Sequence, residues 1–372
     1  MPSSYDEVVL VTGFPSLRAR KMVEQILSSS KKALVNAVVH SKFSDQAASF
    51  LDSLERADRE RVVLYEGDAA AIDMGLSGAE YREIAARVQR IHHVAQVTYP
   101  GVSRKIAESV NIGAMREIIE FGRVCKKLEC IVAHSSAIVS GNRTGLVLEE
   151  ELSARQSFRS VVEETLARAE RIARAAMSQL PIAVVRPAQI VGDSRTGEVD
   201  RFDGPYLLIL LILSAPQDFP VLLPARGDVP MNLVPIDYVV QATDRIGRSP
   251  QAIGKTFHLT DPNPLSVRQV FQLVAQSGGR RLPGGFIPSR VTKALLSTPG
   301  LNLVSKSPRA FVDMITTPVR YDTRNTDDIL AGSDVHCPPF ESYVDALVAF
   351  VKQRVQERRS KNEEVEVEDP LS

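Results

Sequence analysis

Runs of β-branched and other apolar residues alternate along the first half of the chain with stretches whose apolar positions recur at helical spacing. The runs predict strands over Val8–Val11, Ala33–Val39, Val62–Tyr65, Ile91–Val97, Cys130–Ala133 and Ile182–Val185. The stretches between them predict helices over Leu17–Leu27, Asp45–Leu54, Arg104–Val124 and Phe158–Ala176. A chain that alternates strand and helix in this way has one economical solution, an α/β fold with a doubly wound parallel sheet, Rossmann-like, and helices on both faces.

The texture changes after Arg186. Residues 192–235 are rich in Gly, Pro and Asp around one apolar helix, Tyr206–Leu213, and Thr256–Leu259 reads as a strand returning to the sheet. Two or three helices, broken at Pro283-Gly284-Gly285 and Pro299-Gly300, fill residues 265–350. The predicted division is therefore a dinucleotide-binding domain over 1–190, completed by 230–262. A smaller C-terminal substrate lobe follows from 191–229 and 263–352, and 353–372 is a charged tail expected to fray into disorder.

Composition narrows the class. Among 372 residues, 45 basic side chains balance 45 acidic ones, which argues against a partner of nucleic acid or anionic membrane. The first residues carry acids and no apolar core, and the longest apolar run falls far short of the ~20 residues that cross a bilayer. Three cysteines, Cys125, Cys130 and Cys337, cannot pair evenly and match no usual metal spacing. A cytoplasmic protein with reduced thiols and no metal is expected.

Candidate chemistry begins where the first strand meets the first helix, at Thr12-Gly13-Phe14-Pro15-Ser16-Leu17-Arg18-Ala19. A dinucleotide fingerprint belongs here and asks for three small positions: one for the turn, one for approach of the pyrophosphate, one for helix packing. Gly13 meets the first and Ala19 the third, whereas Ser16 puts a side chain at the second. The helix N-terminus still offers N–H groups to an anion. An NAD site usually places an acid at the end of the second strand; this one ends Val39-His40-Ser41-Lys42. With no acid there, Lys42, and Arg18 in the loop as a second cation, favour NADP if a dinucleotide binds. A plain strand–turn–helix with solvated cations is the competing reading.

These features, with Glu66-Gly67-Asp68, Met74-Gly75-Leu76-Ser77, His92-His93, Asn111, His134-Ser135-Ser136-Ala137 and Arg186–Ser194 in order, resemble the extended short-chain dehydrogenase/reductase family. The likeness is greatest to its thioester reductase and fatty acyl-CoA reductase branch. It implies that Asp68 bonds the adenine and that a homodimer forms through the long helices. It also implies a Ser, an Asn and a Tyr-x-x-x-Lys pair for proton transfer during hydride movement. Ser136 and Asn111 stand at two of those positions. Val162 and Leu166 stand at the tyrosine and lysine positions, and no tyrosine in the chain is followed four residues later by lysine.

Tyr99 with Arg104 or Lys105 offers a substitute pair, and Tyr206–Leu213 an acyl channel; a loop lining and a buried core helix are the bland readings. Two functions follow. The first is a catalytically degraded relative that binds, senses or scaffolds, with a small-molecule or acyl ligand. The second is a working NADP-dependent oxidoreductase, epimerase or thioester reductase using unconventional groups.

Overall fold

Eight residues, Glu7–Phe14, form β1 near the middle of a seven-stranded parallel sheet; the computed structural model describes residues 5–99, 101–153, 155–202, 204–214, 227–280 and 316–368. The chain continues through β2 (Ala33–Val39), β3 (Val62–Glu66), β4 (Arg90–His93), β5 (Cys130–His134), β6 (Gly145–Val147), β7 (Ile182–Pro187), β8 (Gln189–Val191), β9 (Leu233–Pro235), β10 (Thr256–Leu259) and β11 (Val319–Tyr321). The order across the main sheet is β10-β7-β5-β4-β1-β2-β3. The expected doubly wound fold is therefore present, and the strand order reverses between β1 and β4, the place where such sheets open a crevice.

The chain divides into two units. The first comprises Met1–Ala188, Ile236–Pro262 and Val319–Cys337 and contains the main sheet with its helices. Helix Leu17–Ser29 buries Leu17, Met22, Val23, Ile26 and Leu27, a stripe at three- and four-residue spacing. On the opposite sheet face, Ile84, Met115, Ile118, Phe121 and Ala173 pack over Leu10, Ile91 and Ile131. The return of Val319–Cys337 adds β11, which pairs in parallel with β6, and the sequence reading contains neither strand. Each is only three residues long, too short to show a periodicity.

Two expectations are corrected. The fourth strand ends at His93 rather than Val97: the Ala95 N–H goes to the Thr12 hydroxyl and the Val97 N–H to Asn111 Oδ1. The helix expected over Arg104–Val124 is interrupted by a π-helical turn at Glu108–Gly113, where Asn111 turns inward. The charged tail begins as a helix, Val344–Glu368, in which Gln353 and Arg354 bond to Glu357.

The second unit comprises Gln189–Pro235, Asn263–Pro318 and Pro338–Ser372. Its β8 and β9 form a two-stranded sheet. Tyr206, Ile209 and Ile212 of helix Pro205–Ser214 are buried with Phe271, Phe340 and Leu347. The Tyr206 hydroxyl accepts the Gly192 N–H at 2.6 Å. The bland reading of this helix, a packed core, accounts for those three side chains. The expected breaks at Pro283-Gly284-Gly285 and Pro299-Gly300 lie outside the described residues.

Candidate functional site

The first turn after β1 is built for close backbone approach. Gly13 has φ of +78°, and a Cβ placed on it would lie 2.7 Å from the Ala95 nitrogen. The turn closes with the Ser16 N–H donating to the Gly13 carbonyl at 3.1 Å. Phe14 and Pro15 are buried, and Phe14 meets Phe50 edge to face at 5.3 Å between centroids. Ser16 is exposed and caps helix Leu17–Ser29, its hydroxyl accepting the Ala19 N–H at 3.4 Å. The side chain at the second fingerprint position thus occupies one of the donors that a pyrophosphate would use.

Around this turn, His40 and Lys42 are exposed at the end of β2, with Lys42 over the Phe43 ring at 4.7 Å. Asp68, beyond β3, is exposed, and its Oδ1 accepts the Ala70 N–H at 3.0 Å. Leu17 is buried under the loop.

Arg18 is placed differently from the sequence reading. It reaches across the crevice, away from the end of β2, donating from Nη2 to the Val94 carbonyl at 3.2 Å and to Gln96 Oε1 at 2.9 Å. Burial pushes its guanidinium down to about 10. Gln96 in turn donates from Nε2 to the His134 carbonyl. Sequence reasoning missed Gln96, because a single polar residue after a strand carries no pattern.

The two residues expected, by the resemblance, to stand at the tyrosine and lysine positions lie in an apolar cluster. Val162 is 4% and Leu166 1% exposed, packed with Val139 and Ala167 against Phe158 and Leu152. Neither group titrates. Nearby in the same unit, Ser136 caps the turn Ala137–Ser140 and its hydroxyl donates to the Pro187 carbonyl at 3.4 Å. Asn111 is fully engaged: Nδ2 donates to the Val97 carbonyl at 3.1 Å and to Thr165 Oγ1 at 3.0 Å, while Oδ1 accepts the Val97 N–H at 2.8 Å. Arg104, half of the suggested substitute pair, is held by a two-pronged contact to Glu164 at 3.1 and 2.9 Å. Another phenol comes to this region from a distant segment. The Tyr321 hydroxyl, on β11, lies 3.3 Å from both the Ala137 carbonyl and Ser140 Oγ, and burial raises its pKa.

Below these groups lies a buried network. Arg186 grips Glu170 through Nε at 3.0 and 2.9 Å and Nη2 at 2.5 Å, while Ser135 donates to Glu170 at 2.6 Å. Arg186 Nη1 also contacts His258 Nε2 at 3.2 Å. Since arginine only donates, His258 accepts at Nε2, and its Nδ1–H is left to donate to the Asp322 carbonyl at 2.8 Å. Burial, then Arg186, holds His258 at about 3. Among the described residues no cluster of His, Cys, Asp and Glu is arranged to hold a metal, and no helix is long and apolar enough to cross a membrane.

Comparison with known proteins agrees with this fold. The chain is 24% identical over 315 residues to a linear gramicidin synthase of Brevibacillus parabrevis, covering 79% of this chain and 6% of that protein. It is 22% identical over 279 residues to the fatty acyl-CoA reductase wat of Drosophila melanogaster, covering 64% and 53%. The chain thus spans a small part of the first relative and about half of the second. Among solved structures, the terminal R domain of the myxalamid PKS-NRPS pathway superposes with a TM-score of 0.79 at 20% identity, over 95% of this chain and 92% of that one. A UDP-glucuronic acid 4-epimerase of Bacillus cereus in complex with NAD gives 0.67 at 16%, over 93% and 97%. The family described as Male sterility protein, an NAD-binding family, matches residues 11–243, well over half the chain. On that match the chain belongs to this family, within the extended short-chain dehydrogenase/reductase fold and on its thioester reductase-like side.

Proposed function

We propose that this chain is a nucleotide-binding member of its family that does not carry out hydride transfer by the phenol–ammonium route, and that it acts as a binding, sensing or scaffolding protein. One observation carries the reading: Val162 and Leu166, at the two proton-handling positions, are buried in an apolar cluster. Loss of a general acid costs a reaction about 10²–10⁴-fold.

The adenosine side of the crevice fits a nucleotide better than the reactive side does. Gly13 lets the turn pack directly on the Ala95 backbone, where a methyl would clash, and Asp68 is exposed beyond β3. The absence of an acid at the end of β2, together with exposed His40 and Lys42, supports a 2′-phosphate and hence NADP over NAD. When bound, NADP would supply the redox-active nicotinamide; the residues of this chain offer no ionisable partner for it at positions 162 and 166. No disulfide joins Cys125, Cys130 and Cys337, which supports a reducing, cytoplasmic setting.

Titration of the purified chain with NADPH and NADH, followed by oxidation assays with aldehydes and acyl thioesters, tests the reading. NADPH binding without turnover supports it, and robust turnover overturns it. A second reading, an active reductase with unconventional groups, is favoured by Tyr321 against the Ala137–Ser140 turn. On that reading Tyr321→Phe abolishes NADPH oxidation while leaving NADPH affinity unchanged.

A further inference from the structure

A dinucleotide needs both halves of a doubly wound sheet, one nucleotide over each side of the point where the strand order reverses. The half formed by β1, β2 and β3 exposes His40, Lys42 and Asp68. The other half is bridged by side chains. Arg18, from the first turn of helix Leu17–Ser29, ties to the Val94 carbonyl and to Gln96, and Gln96 ties to the His134 carbonyl. These anchors stand just past the carboxyl ends of β1, β4 and β5, so the bridge spans three adjacent strands.

The chemistry of the bridge fixes its orientation. Gln96 must present oxygen to the guanidinium and nitrogen to the carbonyl; the flipped amide would face donor with donor and acceptor with acceptor. The guanidinium bond to Gln96 is charge-assisted, and breaking it inside the crevice leaves a half-buried cation without that partner. A ligand that lies only over β1–β3 leaves all of this intact. By the doubly wound pattern the second nucleotide of a dinucleotide lies on the bridged side, where it would meet these groups.

We infer that the Arg18–Gln96–His134 bridge makes the crevice selective for an adenosine mononucleotide, phosphorylated at the 5′ and 2′ positions, over the complete dinucleotide. The inference rests on the nucleotide-binding reading above and narrows its ligand class. Arg18 then works as a closing group over the second half-site.

Calorimetric titration of the full chain with adenosine 2′,5′-bisphosphate and with NADPH tests this directly. Binding of the bisphosphate at least as tight as that of NADPH is expected. Arg18→Leu and Gln96→Ala together remove about one charge-assisted bond from the bridge, so NADPH affinity should rise about tenfold while bisphosphate affinity stays within about twofold. Wild-type protein that binds NADPH about tenfold or more tightly than the bisphosphate overturns the inference and leaves the nucleotide-binding reading standing. Failure of either nucleotide to bind overturns both. The wild-type comparison decides the matter even if the double variant does not fold.

Discussion

Lysine in place of Leu166 would put an ammonium among the apolar side chains of Val139, Val162 and Ala167. The expected cost is about 3–5 kcal/mol, that of an uncompensated buried charge, read as a fall in the urea midpoint. A Val162→Tyr, Leu166→Lys double variant should therefore lose stability before it gains any reductase activity. Alanine in place of Glu170 strands Arg186 in the same way, and a loss of about 3–5 kcal/mol is expected in the same measurement. Histidines set the response to acid. Burial holds His92 at about 3, His93 at about 4 and His258 at about 3, against 6.5 for an unburied imidazole. Below pH 6.5 the unfolded chain takes up protons that the folded one refuses, so stability is complete above 6.5 and declines as pH falls toward 4. Each of the three adds up to ~1.4 kcal/mol per pH unit to that slope. Glu149, whose pKa burial raises, opposes it weakly over the lower part of the range. Urea midpoints measured from pH 7.5 to 4.5 should hold down to about 6.5 and drop below it; a flat profile would refute the neutral-imidazole assignment. At this scale the sequence was informative about identity and poor about direction. It placed Val162 and Leu166 at the altered positions, yet it gave no means to see that Arg18 turns from the β2 end toward Gln96.

Elements with a long apolar period were legible, because a helix such as Leu17–Ser29 announces its buried face every three or four residues. Elements defined by a side chain's partner were not. The end of β4 and the π-helical turn both follow from Asn111, which reaches from the helix to both backbone groups of Val97 and to Thr165. A lone asparagine in a helical sequence gives no hint of that clamp. Asn111→Ala would leave the Val97 N–H and carbonyl without their buried partner. A loss of about 1–3 kcal/mol is expected, with faster amide exchange at Val97. A value near zero, with exchange unchanged, would show that water replaces the amide and that the clamp is dispensable.

Across the whole chain, the route by which the chain completes its first unit was not readable in the sequence. Residues 319–337 come back to supply Thr326 and the Asn325 N–H to the Glu149 carboxylate, at 2.8 and 2.6 Å, and β11 to β6. Glu149 is buried, and its oxygens also take the His258 N–H at 2.9 Å. These partners lie far apart in sequence, so they close large loops and form late. During synthesis the first 188 residues leave the ribosome well before the segment that satisfies Glu149 has been made. Over that interval a nascent sheet with an exposed edge and an unanswered carboxylate is open to chaperones, so the cell's capacity to shelter that intermediate, more than the stability of the finished protein, would set its yield.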